Sequence, residues 1–141
     1  MGALDLTGLP AKALLLLDSA PIIYWLEERP SFFERFEPVF ALHAAGDADF
    51  AVTTIAIAEV LSGPFKSGDD ARALRYRAVL ESWRVVELNA DLAEEAARLR
   101  GPLKLKLPDA IQVASALALS ADALVTHDRD FSKVSGLRVI G

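Results

Sequence analysis

Leu14-Leu15-Leu16-Leu17-Asp18-Ser19-Ala20-Pro21 is an unbroken apolar run that stops on an acid and gives way to a helix-opening pair. Four consecutive leucines carry no inside–outside alternation. They therefore read as a strand buried on both faces, as in a parallel sheet covered by helices. Pro21 suits the first turn of a following helix, where a missing N–H is harmless, with Ser19 as a candidate cap. Ile22, Ile23, Trp25 and Leu26 supply that helix with an apolar side.

Outward from this stretch the pattern repeats as strand then helix. Ser31 opens a predicted helix over 32–45, stopping near Gly46. Residues 50–53 read as a strand, and 55–61 as a short helix closed by Ser62-Gly63-Pro64. Residues 65–70 read as a loop, 70–82 as a charged helix and 85–88 as a strand. Asn89 or Asp91 caps a helix ending at Arg100, before Gly101-Pro102. Pro108 opens a helix to about 120. Residues 123–126 form a strand, 128–133 a turn or short helix, and 137–140 the last strand. Alternating strands and helices imply crossover connections, hence an α/β fold of three layers: a mostly parallel sheet between two layers of helices. Residues 1–13, punctuated by Gly2, Gly8 and Pro10, read as an N-terminal extension to a domain spanning 14–141.

Composition agrees with one domain. The chain has 141 residues, 52% hydrophobic and 25% charged, which supports a filled core and excludes a disordered chain. No apolar run reaches the roughly 18 residues of a membrane span. The N-terminus does not read as a basic secretory leader, so the expected compartment is the cytoplasm. With no cysteine, disulfides and thiolate metal sites are excluded. A net charge of −5 disfavours a broad basic nucleic-acid surface, although bound divalent cations offset local acids.

The acids fall in a pattern. Asp18 and Asp128 lie just beyond the carboxyl ends of strands, the edge at which open parallel sheets bind ligands. Asp109 follows Pro108 in the first turn of a helix, where free N–H groups favour its charge. Glu59 interrupts the apolar helix Ile55-Ala56-Ile57-Ala58-Glu59-Val60-Leu61, so it either faces water or points into a polar site. Each has an ordinary alternative as a cap, first-turn charge or turn residue. Together, four carboxylates at one edge repel, by about 4 kcal/mol per pair at ~4 Å and an effective dielectric of 20, and such a cluster calls for a cation. Oxygen ligands without His or Cys select Mg²⁺ or Mn²⁺. Thr126 is a secondary candidate, as a hydroxyl supporting a ligand carboxylate or as a plain β-branched strand residue. His127 reads as an exposed turn histidine. Lys104, Lys106 and Arg129 lie near the acids as candidate phosphate contacts, although each taken singly reads first as solvated surface charge. Tyr24, Trp25, Phe32, Phe33 and Phe36 read as core or interface.

These stretches resemble the PIN-domain family, and in particular its small VapC-type toxins. Leu15-Leu16-Leu17-Asp18-Ser19 resembles the first PIN motif, Ala58-Glu59-Val60-Leu61 the second, Leu107-Pro108-Asp109-Ala110-Ile111-Gln112-Val113-Ala114-Ser115-Ala116-Leu117 the third, and Leu124-Val125-Thr126-His127-Asp128-Arg129-Asp130-Phe131 the fourth. The resemblance implies a metal-dependent endoribonuclease acting on RNA, ligands Asp18, Glu59, Asp109 and Asp128, frequent homodimers and a small neutralising antitoxin. Asp130 is the fallback for Asp128, which is preferred because the family's last acid stands two residues after a position matching Thr126. Departures are the 13-residue lead, the compressed segment 100–107, and Ala20-Pro21. Two other readings compete: a PIN-like binding module that cleaves nothing, and an aspartyl-phosphate phosphotransfer domain using Asp18 and Lys133.

Overall fold

A computed structural model describes residues 3–128, 131 and 134–141. The chain runs β1 (Ala13–Leu17), α1 (Ser19–Leu26), α2 (Phe32–Ala44), β2 (Ala48–Thr53), α3 (Thr54–Lys66), α4 (Asp70–Glu81), β3 (Arg84–Val86), α5 (Ala90–Leu103), α6 (Leu107–Ala118), β4 (Ala123–Val125) and β5 (Val139–Ile140). The strands form one parallel sheet in the order β3-β2-β1-β4-β5. The expected α/β architecture is therefore present.

The leucine run lies at the centre, paired with β2 on one side and β4 on the other. Its residues alternate between two cores. Leu15 and Leu17 join Ile22, Phe36, Val39, Phe40, Val60 and Leu80 beneath the layer α1–α4. Leu16 packs with Ala110, Ile111, Val113 and Ala114 beneath α5 and α6. Leu15, Leu16 and Leu17 are all fully buried. At roughly 1.5–3 kcal/mol for each buried leucine, this strand contributes strongly to holding the layers together. Leu4, Leu6 and Leu9 of the N-terminal segment also pack on the first core. Arg138 Nη2 anchors that segment by donating to the carbonyls of Asp5 (3.1 Å) and Thr7 (2.8 Å).

Two helices run past their predicted ends. α3 continues through Gly63-Pro64 to Lys66, and α5 through Gly101-Pro102 to Leu103. In both, the proline lies in the final turn and removes only one donor, which tertiary packing offsets. Pro64 is buried, and Ser67 closes α3 through its backbone N–H to the Gly63 carbonyl. α5 ends on Lys104 in a left-handed conformation (φ 53°), with Leu105 N–H reaching the Arg100 carbonyl at 3.2 Å. At the start of α1 the cap is Asp18, not Ser19: its carboxylate accepts from the Ser19 N–H at 2.9 Å. The last strand is shorter than predicted, residues 139–140 only.

Winding sets the position of the functional edge. From β1 the chain moves outward to β2 and β3, then returns across α5 and α6 to β4 on the other side of β1. The strand order reverses between β1 and β4, so the crevice for a ligand lies beyond their carboxyl ends. At the opposite edge the same two strands are tied by Asp122, whose backbone N–H donates to the Leu14 carbonyl (2.8 Å) and whose Oδ2 accepts from the Leu14 N–H (2.7 Å). Asp122→Ala leaves that half-buried N–H unpaired. It is expected to cost roughly 1–3 kcal/mol, read as a lower urea midpoint at unchanged m-value.

Candidate active site at the switch point

Asp18 stands at the crevice with its backbone N–H bonded to the Val125 carbonyl of β4 at 2.9 Å. Its carboxylate is oriented by donors from three directions. Oδ1 accepts from the Ser19 N–H (2.9 Å) and from Gln112 Nε2 (3.0 Å), and Oδ2 accepts from the Thr126 hydroxyl (2.8 Å). Thr126 is fully buried and in turn accepts from the Asp128 N–H at 3.0 Å. Thr126 thus links two of the predicted acids, and the reading of it as a mere strand residue is incomplete. Gln112, buried in the middle of α6, accepts at Oε1 from the Thr53 hydroxyl at 2.6 Å. Thr53, at the end of β2, accepts from the Ala56 N–H (3.1 Å) and so caps α3.

Glu59 comes from α3, capped by Thr53, and Asp109 from the first turn of α6. Glu59 is exposed, yet its carboxyl is held above the ordinary glutamate range. Partial desolvation is the main cause, followed by the negative charge of Asp18; the Ser19 hydroxyl opposes the shift and the Asp109 charge adds to it. The exposure and the desolvation are compatible, because the side chain opens to water on one side only. Glu59 therefore feels the negative charges of both Asp18 and Asp109. Asp128 follows β4 with an exposed side chain and is tied to the group through its backbone bond to Thr126. Asp130, Arg129 and Lys133, and with them most of the predicted turn 128–133, lie outside the described residues. Lys104 and Lys106 are exposed and immediately precede α6.

Among the described residues, no three His, Asp or Glu side chains are grouped so that together they could hold a metal ion. The oxygen-only donors and the mutual repulsion felt by Glu59 fit a different kind of cation. Mg²⁺ keeps several of its own waters and needs only one or two carboxylates from the protein.

His127 departs from its predicted state. It is half-buried, with Nδ1 at 3.0 Å from the Tyr24 hydroxyl, and its ring lies against Phe32 (5.1 Å between centroids) and Phe36 (6.0 Å). The aromatic group divides accordingly: Tyr24, Phe32 and Phe36 surround His127, while Trp25 stacks on Phe40 at 4.4 Å. Sequence reasoning assigned no role to Gln112 or Thr53. Gln112 offered a signal, a lone amide three residues after Asp109 in an apolar helix, whereas Thr53 looked like any β-branched strand residue.

The PIN domain family matches residues 15–137 of this chain. Among solved structures, a toxin–antitoxin complex from Klebsiella pneumoniae is similar at 28% identity and TM-score 0.69, over 87% of this chain and 94% of that one. VapBC2 from Rickettsia felis, bound to a promoter DNA fragment, shares the fold at 19% identity and TM-score 0.71, over 89% and 96%. So does VapC20 from Mycobacterium tuberculosis, a toxin that cleaves the sarcin–ricin loop, at 17% identity and TM-score 0.69, over 87% and 95%. No curated protein sequence matches the chain.

The raised Glu59 carboxyl has a stability consequence with a definite sign. Folding raises the affinity of this acid for its proton, so stability falls as pH rises from the ordinary glutamate range through the higher native one. Above that window the native charge is a standing cost, kept below about 1 kcal/mol by solvent screening. Glu59→Gln is therefore expected to raise the metal-free melting temperature slightly at pH 7 and to leave it unchanged at pH 3.5, a pair of calorimetric scans that would expose the opposite sign at once.

Proposed function

The chain belongs to the PIN domain family, and from that premise we propose that it is a Mg²⁺- or Mn²⁺-dependent endoribonuclease and the toxin of a toxin–antitoxin pair. The observation that supports this reading is that Glu59 of α3 feels the charges of Asp18, at the end of β1, and of Asp109, in the first turn of α6. Three negative charges at a sheet edge oppose one another unless a cation joins them. A bound divalent ion supplies Lewis acidity and a water of lowered pKa.

The side chains then divide the work. Asp18 and Asp109 are the principal cation ligands, with Asp128 beside them. Glu59, whose raised proton affinity makes it the stronger base when ionised, would hold the attacking water and take a proton from it. Thr126 keeps Asp18 and the chain at Asp128 in register through its two hydrogen bonds. Lys104 and Lys106 stand ahead of Asp109 for contact with backbone phosphates. An aspartyl-phosphate reading, with Asp18 as the nucleophile, would leave Glu59 and Asp109 without a part.

Similarity to a toxin–antitoxin complex at 28% identity supports a small antitoxin as partner. A homodimer is proposed alongside it. No helix among the described residues is long and apolar enough to cross a membrane, which agrees with a cytoplasmic site of action on RNA.

The deciding experiment is cleavage of a mixed single-stranded RNA with Mn²⁺, run beside metal-free melting curves. Asp18→Asn and Asp109→Asn should lose activity by on the order of 100-fold or more, with the Asp109→Asn melting temperature level or higher. Asp128→Asn should cost less, because Asp130, the alternative acid two residues on, can partly take its place. Full activity in Asp109→Asn would remove that residue from the site.

A further inference from the structure

Behind the acids lies a buried polar chain for which the nuclease reading has not yet accounted. Ala56 N–H donates to the Thr53 hydroxyl, the Thr53 hydroxyl to Gln112 Oε1, and Gln112 Nε2 to Asp18 Oδ1, over 3.1, 2.6 and 3.0 Å. Thr53 and Gln112 are each only 1% exposed. Two uncharged polar side chains placed in a core are costly unless fully paired. Here each is paired, and the pairing runs in one direction only.

The direction follows from the donor inventory. A threonine hydroxyl has a single hydrogen. One of its two lone pairs accepts from the Ala56 N–H, and its hydrogen goes to Gln112 Oε1. That places the Gln112 NH₂ toward Asp18, whose ionised carboxylate only accepts. With the amide turned over, its oxygen would face a carboxylate oxygen and its NH₂ would meet a hydroxyl that had lost its acceptor. Thr53 and the Asp18 carboxylate together therefore fix which way round the amide stands.

We propose that Thr53 and Gln112 are positioning residues for Asp18: Thr53 orients the Gln112 amide, which locks the rotation of the Asp18 carboxylate so that the lone-pair site left on Oδ2 faces the crevice. The same Thr53 hydroxyl caps α3, the helix that carries Glu59. One side chain at the end of β2 thus sets two of the acids, on neighbouring elements. Neither Thr53 nor Gln112 touches the RNA or the cation. Their effect is on the geometry with which Asp18 meets them, and on this point the inference rests on the nuclease reading above.

The test combines three measurements on the full chain: side-chain amide NMR of the metal-free protein, Mn²⁺ calorimetry, and RNA cleavage resolved into kcat and KM. In the unmodified protein and in Thr53→Ser, one Gln112 Nε2 proton should exchange slowly with water. That protection should vanish in Thr53→Val. Thr53→Val and the similarly shaped Gln112→Met should each weaken Mn²⁺ binding and lower kcat by about tenfold or more, with KM for RNA within about twofold. Thr53→Ser should restore both to near the starting values, which a packing role would not predict, since serine removes a methyl group and keeps the hydroxyl. Fast exchange of both Gln112 amide protons in the unmodified protein would overturn the proposal, as would a Gln112→Met variant that retains Mn²⁺ affinity and kcat. Were the unmodified protein to bind Mn²⁺ without cleaving RNA, the nuclease reading would fall while the amide spectra and the calorimetry still decided this one.

Discussion

A single carboxylate ties the two halves of this fold together. Asp18 ends the central strand, caps α1 through the Ser19 N–H, and receives hydrogen bonds from Gln112 of α6 and from Thr126 after β4. Its own N–H continues the ladder to Val125. The first half of the chain supplies the acid, and the second half supplies two of the groups that hold it. A charge at that depth is tolerable because neutral donors surround it, and those donors are in place only when both layers of helices are seated on the sheet. Formation of the fold and orientation of the acid are therefore one event.

The remaining acids are treated differently, and the difference is electrostatic. Asp109 is set among the free N–H groups of a helix start, where a negative charge is favoured. Glu59 has the Ser19 hydroxyl to help it, but that bond does not offset partial desolvation and the charge of Asp18. The edge of the sheet thus carries unresolved negative potential on a chain whose net charge is already −5. A core of leucines and alanines above and below, packed to exclude water, supplies the stability that this edge consumes.

The legibility of these features from sequence followed one rule. Leu14 to Leu17 announced a doubly covered strand because lack of alternation is a local property, and Asp18, Asp109 and Asp128 were visible because they sit at the boundaries of elements. Glu59 and Gln112 both break apolar helices, yet only the charged one drew attention; an uncharged amide is an equally strong sign of a buried partner. Thr53 carried no local sign, because its role depends on Gln112, 59 positions away. The helix ends at Pro64 and Pro102 were misplaced for a related reason: a proline in a last turn costs little, and whether the helix stops before it is settled by what the ring packs against. His127 looked like a surface residue because its partner Tyr24 is 103 positions away.

That last contact bears on Asp128. Asp128 is exposed, and its side chain stands beyond a chain segment only a few residues long after β4. Such a segment would swing freely if anchored at the strand alone. It is fastened on two sides. The Asp128 N–H is bonded to the buried Thr126 hydroxyl, and the preceding ring of His127 is set among Tyr24, Phe32 and Phe36 of α1 and α2. Aromatic pairing of this kind adds roughly 0.5–1.5 kcal/mol per contact beyond simple burial, enough to select one loop position over its alternatives. The aromatic residues of the first two helices thus help to place an acid from the far end of the sequence by holding the histidine that precedes it.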